Sequence, residues 1–235
     1  MPQKTATVIG STGLIGGYLI DYLQTNEAYS TVRALVRRPV SFKQSKVEMK
    51  LVNFDDHESV KLAIDGSDDV FCAVGTTNKK VKGNKDAYRK IDYDIPVNAA
   101  RFCSETGCRN FLLVSSVGAK SNSNNFYLKL KGEVEDAVQK FPIPGISFFR
   151  PSILLGKRSE FRFGEKIGQS FISFFAFLLI GKREKYRPVE AELVAKAMVQ
   201  AAIEQKPGIT IYEFEAIREK AKLVPTIAHL HPAVQ

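Results

Sequence analysis

Short apolar runs alternate with segments of helical periodicity through the first 150 residues. Residues 7–9 form the first apolar run, and residues 14–24 then repeat apolar side chains at helical spacing. The alternation continues and predicts further strands at 32–36, 47–54, 70–74, 111–114 and 146–149, and further helices at about 58–64, 86–105 and 127–140. Strands separated by helices are typical of β-α-β units. The predicted fold class is therefore α/β, with a doubly wound, mostly parallel sheet.

Beyond Pro151 the pattern is looser. A helix at about 191–205 and a strand at 209–214 are still predicted. The apolar segment 167–180 is shorter than the ~20 residues of a membrane-spanning helix, so no stable membrane insertion is predicted. We favour a helix packed over the site mouth, while a homodimer face or attachment to a membrane surface are alternatives.

No internal repeat divides the chain. We therefore predict a single domain over residues 1–235. Its cofactor-binding core covers 1–150, and a small C-terminal region on the substrate side covers 151–235.

Charge and cysteine content add to this picture. The chain has 34 Lys and Arg against 25 Asp and Glu, a net charge of +9 that favours anionic partners such as phosphorylated cofactors. Nucleic acid is not a predicted partner, because no basic stripe interleaved with aromatic residues is present. The three cysteines lie in apolar segments without C-x-x-C spacing; they are Cys72, Cys103 and Cys108. The N-terminal stretch lacks the pattern of a signal peptide. These features predict reduced thiols and a cytoplasmic protein. The histidines show no metal-ligand spacing, so no metal is predicted.

A G-x-x-G-x-x-G run, formed by Gly10, Gly13 and Gly16, lies between the first strand and the first helix. Glycines there allow a sharp turn and a close approach of backbone N–H groups to a pyrophosphate, and the helix N-terminus adds partial positive charge. The run predicts a Rossmann-like dinucleotide site.

The end of the second strand indicates which dinucleotide binds. Arg37 and Arg38 follow that strand directly, and no acidic residue stands there. An acidic side chain would accept a hydrogen bond from a ribose 2′-hydroxyl, whereas arginine pairs with a 2′-phosphate, so we predict NADP(H). Asp55, after the third strand, is a candidate for the adenine end or for the N-cap of the next helix.

Candidate catalytic residues follow the fifth strand. Ser115 and Ser116 end it, and Tyr127 and Lys131 follow at Y-x-x-x-K spacing. This spacing puts the phenol and the ammonium one helical turn apart, where the positive charge favours the phenolate. Tyr127 is thus the predicted general acid or base, Lys131 its partner, and one serine hydroxyl the group that holds the substrate oxygen.

These features resemble the short-chain dehydrogenase/reductase superfamily, in its atypical division with the G-x-x-G-x-x-G loop. The chain is most similar to the oxidoreductases related to the human Tat-interactive protein, over nearly its whole length. The segments that carry the resemblance are 8–13, 35–38, 71–77, 113–119, 127–128, 131–135, 149–151 and 154–155.

The resemblance also implies roles for individual residues. It implies that Thr12, Gly13, Leu14 and Ile15 bind the pyrophosphate, Arg37 and Arg38 the 2′-phosphate, Val74 and Gly75 the adenosine-side ribose, and Tyr127 and Lys131 the nicotinamide ribose. It further places Leu154 near the nicotinamide and Arg162 near a cofactor phosphate. The superfamily's usual spacing favours Ser116 over Ser115 as the catalytic serine.

The predicted function is therefore that of an NADP(H)-dependent oxidoreductase acting on a small carbonyl or alcohol compound. The alternative is an NADPH-sensing or protein-binding module with little catalysis. A run of lysines at positions 79, 80, 82 and 85 is interpreted as a solvated loop, with attraction of an anionic substrate as the alternative.

Overall fold

Seven parallel strands form the central sheet of the protein. The computed structural model describes residues 3–42, 45–156 and 186–227. Within them the sheet has the order β3-β2-β1-β4-β5-β6-β9, and a separate parallel pair is formed by β7 and β8. The strands are β1 Lys4–Ile9, β2 Tyr29–Val36, β3 Val47–Leu51, β4 Asp69–Cys72, β5 Asn110–Val114, β6 Gly145–Phe149, β7 Leu154–Leu155, β8 Val189–Glu190 and β9 Gly208–Tyr212.

Helices connect the strands and cover both faces of the sheet. They are α1 Leu14–Thr25, α2 His57–Ile64, α3 Lys85–Arg89, a π-helical segment Lys90–Asp94, α4 Ile95–Glu105, α5 Phe126–Val138, α6 Ala191–Glu204 and α7 Phe214–Lys222.

The core has two halves because successive strand residues point to opposite faces. In β1, Val8 packs in the cluster that contains Leu19 of α1 and Met198 of α6. The next residue, Ile9, packs in the cluster that contains α2, α4 and α5 side chains, among them Val134. Every residue of β4 and β5 is buried, as expected for strands covered on both faces.

The strand order reverses next to β1. The chain runs from β1 outward through β2 and β3, then returns to the other side of β1 with β4. In open α/β sheets, ligands bind at the carboxyl ends of the strands where the order reverses. The loops after β1 and β4 are therefore the walls of the expected crevice.

The opposite, amino-terminal edge of the sheet is held by a buried polar network. The Asp69 carboxylate is fully buried and accepts hydrogen bonds from the Tyr29 hydroxyl at 2.6 Å and the Asn110 amide at 2.5 Å. The Lys4 ammonium lies 3.1 Å from the same carboxylate. Each of these residues belongs to a different strand, so the network fixes four strand starts together.

The predicted helix at 86–105 is wrong as a continuous α-helix. The structure has α3, then the π-helical segment, then α4, with Pro96 in the first turn of α4. Proline has no N–H and therefore cannot donate the α-helical hydrogen bond to the carbonyl four residues earlier. The wider π turn occurs where that hydrogen bond is lost.

Three strands end earlier than predicted, and one small sheet was not predicted. β3 ends at Leu51 rather than 54, β4 at Cys72 rather than 74, and β9 at Tyr212 rather than 214, so the residues after each belong to the segments that follow the strands at the carboxyl edge. The β7–β8 pair has two residues in each strand, too few to give a periodic pattern. The segment 167–180 and Arg162 lie outside the described residues.

Candidate active site

The loop after β1 is built around close backbone contacts at its glycines. Gly10 has a φ of +87°, and its carbonyl oxygen accepts a hydrogen bond of 2.8 Å from the Gly13 N–H. A Cβ on Gly16 would lie 2.0 Å from that same carbonyl oxygen, and a Cβ on Gly10 would lie 2.8 Å from the Ala73 carbonyl carbon after β4. Only glycine fits at either position, so the N-terminus of α1 packs directly on the loop.

The glycine loop fits a pyrophosphate group. The α1 N-terminus has no side-chain cap, so its first N–H groups are left for a ligand. The Ser11 hydroxyl is buried and has no hydrogen-bond partner among the described residues. A buried hydroxyl without a partner costs free energy that a bound oxygen ligand would recover. Thr12, the next residue, is exposed.

The strand beside β1 ends in two exposed arginines. Arg37 and Arg38 follow β2 and form no ion pair with any described residue. Asp55 follows β3, is exposed, and lies 3.4 Å from the Lys90 ammonium. The alternative that Asp55 caps α2 is wrong, because Asp56 is the N-cap and accepts from the Ser59 N–H at 3.3 Å.

The loop after β4 borders the glycine loop. Ala73 donates its N–H to the Ile9 carbonyl at 2.9 Å, and its own carbonyl lies against Gly10. Val74 and Gly75 follow and are half-buried. A Cβ on Gly10 would lie 2.9 Å from the Val74 backbone nitrogen, so Val74 borders the glycine loop and Gly75 is the next residue of the chain.

The two serines after β5 have different environments. The Ser115 hydroxyl donates to the Glu135 carboxylate, which also accepts a hydrogen bond of 3.0 Å from Arg150 Nε. Hydrogen bonding to Glu135 raises the pKa of Arg150, so this ion pair stays charged. The Ser116 hydroxyl has only a long contact of 3.4 Å to the Val117 carbonyl. Ser115 is therefore part of a structural network, and Ser116 has the hydroxyl that is left for a substrate.

Tyr127 and Lys131 lie on the first two turns of α5. Asn125 starts the helix by accepting from the Leu128 N–H at 3.1 Å. The Lys131 ammonium lies 5.9 Å from the centroid of the half-buried Tyr127 ring. A Cβ on Gly132 would lie 2.2 Å from the Ser121 backbone nitrogen, so glycine lets α5 pack closely on the loop that follows Ser116.

Asp92 is a residue of the candidate site that the sequence reasoning missed. One carboxylate oxygen lies 2.9 Å from the Lys131 ammonium, and the side chains are 2% and 6% exposed. The other oxygen accepts from the Thr76 N–H at 2.7 Å. Asp92 therefore links the lysine to the loop after β4. The available signal was its spacing: Asp92 lies four residues from both Tyr88 and Pro96, which are buried, so it shares their helix face. A carboxylate on a buried face needs a partner, which points to a buried cation.

A thiol is excluded from the proton chemistry of this site. Cys72 is fully buried at the end of β4, near Lys131 and Asp92. Burial raises the pKa of the Cys72 thiol to about 12. The thiol stays protonated at neutral pH and packs as an apolar group.

Most of the predicted site residues follow strands at the carboxyl edge of the sheet or begin the helices after them. The exception among the described residues is Leu154, which lies on β7 and is half-buried. Its neighbour Gly156 is close to the start of α1, since a Cβ there would lie 2.9 Å from the Leu14 methyl groups. No cluster of metal-ligating side chains occurs among residues 3–42, 45–156 and 186–227.

The sequence model of a family described as NAD(P)H-binding matches residues 10–140, which is more than half of the chain. The chain belongs to the NAD(P)H-binding family. The match begins at the first glycine of the loop and ends after α5. It therefore includes both walls of the crevice and the helix that carries Tyr127.

Known relatives extend this match. The NAD(P)H-binding protein is 32% identical to Protein HTATIP2 of Rattus norvegicus over 174 residues, 73% of this chain and 71% of the relative. It is 33% identical to Protein FMP52, mitochondrial, of Debaryomyces hansenii over 205 residues, 85% of this chain and 88% of the relative.

Solved structures share the fold. A UDP-N-acetylglucosamine 4-epimerase from Methanobrevibacter ruminantium M1 superposes with a TM-score of 0.67 at 16% identity, covering 91% of this chain and 77% of the epimerase. The predicted doubly wound α/β fold and the resemblance to atypical short-chain dehydrogenase/reductases are confirmed. The chain has the Rossmann-like α/β fold of this solved structure.

The predicted cytoplasmic location is wrong. The relative from Debaryomyces hansenii is named as a mitochondrial protein, and so are relatives from Candida albicans and Meyerozyma guilliermondii. The cysteines misled the prediction, because buried reduced thiols fit any reducing compartment and do not select the cytosol. Within the described part of the NAD(P)H-binding protein, no helix has both the length and the apolar character to cross a membrane.

Proposed function

We propose that this protein is an NADP(H)-dependent oxidoreductase that interconverts a small carbonyl compound and its alcohol. The observation that carries the proposal is the pairing of Tyr127 with Lys131 on α5. This helix follows the strand that leads to the available Ser116 hydroxyl, and it begins at the same sheet edge as the glycine loop. When bound, the nicotinamide supplies or accepts a hydride.

The side chains of this protein have separate roles in the reaction. Ser116 holds the carbonyl oxygen by donating a hydrogen bond to it. In the direction of reduction, the Tyr127 hydroxyl gives its proton to that oxygen, and in oxidation the phenolate takes the proton back. The Lys131 ammonium lies 5.9 Å from the centroid of the Tyr127 ring and is itself held by Asp92.

The NADP(H) preference is supported by the position of Arg37 and Arg38. They lie at the end of the strand next to β1, where a ribose 2′-phosphate would lie if the pyrophosphate binds the glycine loop. Two guanidinium groups that form no ion pair with a described residue fit a phosphate, and no carboxylate stands at the end of β2 to accept from a 2′-hydroxyl.

We further propose that the chain divides into a cofactor-binding core, 1–150, and a substrate-side region, 151–235, within one domain. The C-terminal region supplies β9 to the main sheet. It also supplies α6, which packs in the same core cluster as Val8 and Leu19, so this region belongs to the same core.

Tyr127→Phe tests the mechanism. The variant keeps the ring and loses the transferable proton, so we expect NADPH consumption with a carbonyl substrate to fall by about 10²-fold or more. NADPH affinity, measured by fluorescence titration, should stay within about twofold because other residues hold the cofactor. Tyr93→Phe is the matched control, since the Tyr93 ring packs under the Arg89 guanidinium and against the core. Equal turnover by Tyr127→Phe and the wild-type protein would exclude this mechanism.

A further inference from the structure

The loop between β4 and α3 carries a dense group of positive charges. We name residues 77–85 the basic loop, and its four lysines are all exposed. They are Lys79, Lys80, Lys82 and Lys85. The loop follows β4 and so lies at the carboxyl edge of the sheet, on the same edge as the candidate active site.

Three of the four lysines of the basic loop are not paired with a carboxylate of the described residues. Lys79, Lys82 and Lys85 form no ion pair with any described residue, and Asp86 is the only carboxylate between positions 77 and 90. The neighbouring carboxylates have other partners. Glu133 pairs with Arg89 at 2.7 Å, Asp55 with Lys90 at 3.4 Å, and the buried Asp92 with Lys131 at 2.9 Å.

The basic loop has a defined backbone conformation. The Thr77 carbonyl accepts from the Lys80 N–H at 3.0 Å, and the Asn78 carbonyl accepts from the Gly83 N–H at 3.0 Å. Lys82 has a φ of +50°, a conformation that non-glycine residues rarely adopt. The ammonium groups are therefore presented from a folded turn rather than from an extended strand of chain.

Both ends of the basic loop are attached to the catalytic elements. Before the loop, Thr76 donates its N–H to Asp92, and its carbonyl accepts from the Tyr88 hydroxyl at 3.2 Å. After the loop, the Lys85 ammonium lies 5.4 Å from the centroid of the Phe126 ring, which also contacts the Tyr88 ring edge-on. Phe126 directly precedes Tyr127 on α5. The Lys85 ammonium therefore contacts the sequence neighbour of the predicted acid or base.

The cofactor phosphates have other predicted positions. The pyrophosphate belongs to the glycine loop after β1, and the 2′-phosphate to the end of β2, which lies two strands away from β4 in the sheet. The basic loop is therefore not needed for the cofactor phosphates. It is available to the other ligand of an oxidoreductase, which is the substrate.

We propose that the basic loop binds an anionic group of the substrate while the substrate carbonyl reaches Ser116 and Tyr127. The substrates are then small carbonyl compounds that carry a carboxylate or a phosphate. This inference rests on the proposed oxidoreductase function. Among these lysines, Lys85 contacts Phe126, the residue before Tyr127, and Lys79 and Lys82 add to the positive potential of the loop.

The test compares charged and neutral carbonyl probes with NADPH. The first pair is 4-carboxybenzaldehyde and benzaldehyde, and the second is glyceraldehyde 3-phosphate and glyceraldehyde. We expect kcat/KM to be about tenfold higher for at least one anionic probe than for its neutral partner at low ionic strength. Which pair shows the larger ratio distinguishes carboxylate from phosphate. The preference should shrink as salt is added, because exposed charges are screened.

A variant with Lys79→Gln, Lys82→Gln and Lys85→Gln should lose this preference. We expect kcat/KM for the anionic probe to fall about tenfold, mainly through KM, with the neutral probe and NADPH affinity nearly unchanged. The matched control is Lys140→Gln, Lys206→Gln and Lys222→Gln, which removes the same charge from exposed positions outside the site. Equal losses in both variants, or a tenfold weaker NADPH affinity in the loop variant, would overturn the proposal.

Failure of the loop proposal and failure of the proposed function give different results. Calorimetric titration of 4-(hydroxymethyl)benzoate, the product of the first anionic probe, into the protein saturated with NADP⁺ needs no turnover. Binding that depends on the loop lysines, without turnover of any probe, would support the loop and contradict the oxidoreductase function. Turnover of both members of each pair at equal kcat/KM would contradict the loop and support the function.

Discussion

Asp92 and Lys131 show at the scale of single residues how the candidate site is held. Both side chains are buried and lie 2.9 Å apart, so each compensates the desolvation of the other. The second carboxylate oxygen binds the loop after β4, which borders the glycine loop. Asp92 is thus a positioning residue that keeps the lysine beside Tyr127.

Asp92→Asn should cost both stability and activity. The amide keeps an acceptor for Thr76 but leaves the buried Lys131 ammonium without a countercharge, which lowers the free energy of unfolding by about 3 kcal/mol. We expect kcat to fall more than tenfold while KM changes little, because the lysine is misplaced. Urea denaturation and steady-state kinetics measure the two effects.

The double variant Asp92→Asn with Lys131→Met separates these effects. It removes both charges, so we expect stability to recover toward the wild-type value while activity stays low. A single Asp92→Asn variant as stable and as active as the wild-type protein would contradict the positioning role.

The proposed preference for NADP(H) rests on Arg37 and Arg38. Changing both to glutamine removes two cations that suit a 2′-phosphate, so NADPH affinity should fall about 10- to 100-fold while NADH affinity changes little. Isothermal titration calorimetry with both coenzymes measures this. Arg109→Gln is the control, because it removes an exposed arginine at the amino end of β5. Similar affinity of the wild-type protein for NADPH and NADH would refute the proposed preference.

At the scale of elements, the close contact between Gly16 and the Gly10 carbonyl lets α1 pack directly on the loop before it. The Gly16 position lies so close to the Gly10 carbonyl that α1 reaches its place only without a side chain there. The helix N-terminus then points its unpaired N–H groups at the crevice. Packing of an element and binding of an anion therefore depend on the same glycine.

Gly16→Ala and Gly17→Ala form a matched pair for this idea. At Gly16 the methyl group would lie 2.0 Å from a backbone oxygen, so α1 has to shift, and we expect a lower melting temperature and loss of dinucleotide binding. At Gly17 nothing lies within 4 Å of the added Cβ. Alanine is favoured inside a helix, so Gly17→Ala should raise stability by about 0.5–1 kcal/mol and leave binding unchanged. Thermal unfolding with and without NADPH measures both, and equal behaviour of the two variants would contradict the contact argument.

At the scale of the whole molecule, α1 contains a buried carboxylate that opposes folding at neutral pH. Asp21 is 4% exposed, and burial raises its pKa from 3.8 to about 6. The folded state therefore binds the proton more tightly than the unfolded chain. This contribution to stability is present below about pH 4 and is lost as the pH rises to about 6.

Asp21→Asn should consequently raise the melting temperature at pH 7.5, and the gain should be much smaller at pH 5. The neutral amide resembles the protonated acid and avoids the burial of a charge. Glu27→Gln makes the same charge change at an exposed position and should have little effect at either pH. An Asp21→Asn gain of the same size at both pH values would contradict the raised pKa.

The sheet and its order of strands and helices could be predicted because local signals agree with the final packing. Buried strands such as β5 are continuous apolar runs, and the glycines before α1 mark a turn that only one fold class uses in this way. Tyr127 could be found because its partner lies four residues away on the same helix.

The rest of the site depends on contacts between residues distant in sequence. Ser115 and Ser116 are alike in the sequence, and only the Glu135–Arg150 pair, which binds Ser115, separates them. Asp92 was missed because its partner lies 39 positions further along the chain, on another helix. Local periodicity contains no information about either arrangement.

The π-helical segment has a consequence for protein engineering and for natural deletions. A π turn contains one residue more than an α turn at the same place. Deleting the codon of Ile91, inside the π-helical segment, would restore regular α geometry and rotate the helix before it by about 100° relative to α4. Tyr88 and the end of the basic loop would then lose their contacts with Thr76 and Phe126, although none of these residues would have been mutated. The number of residues in the π-helical segment, and not only their identity, thus sets which surface of this helix faces the crevice.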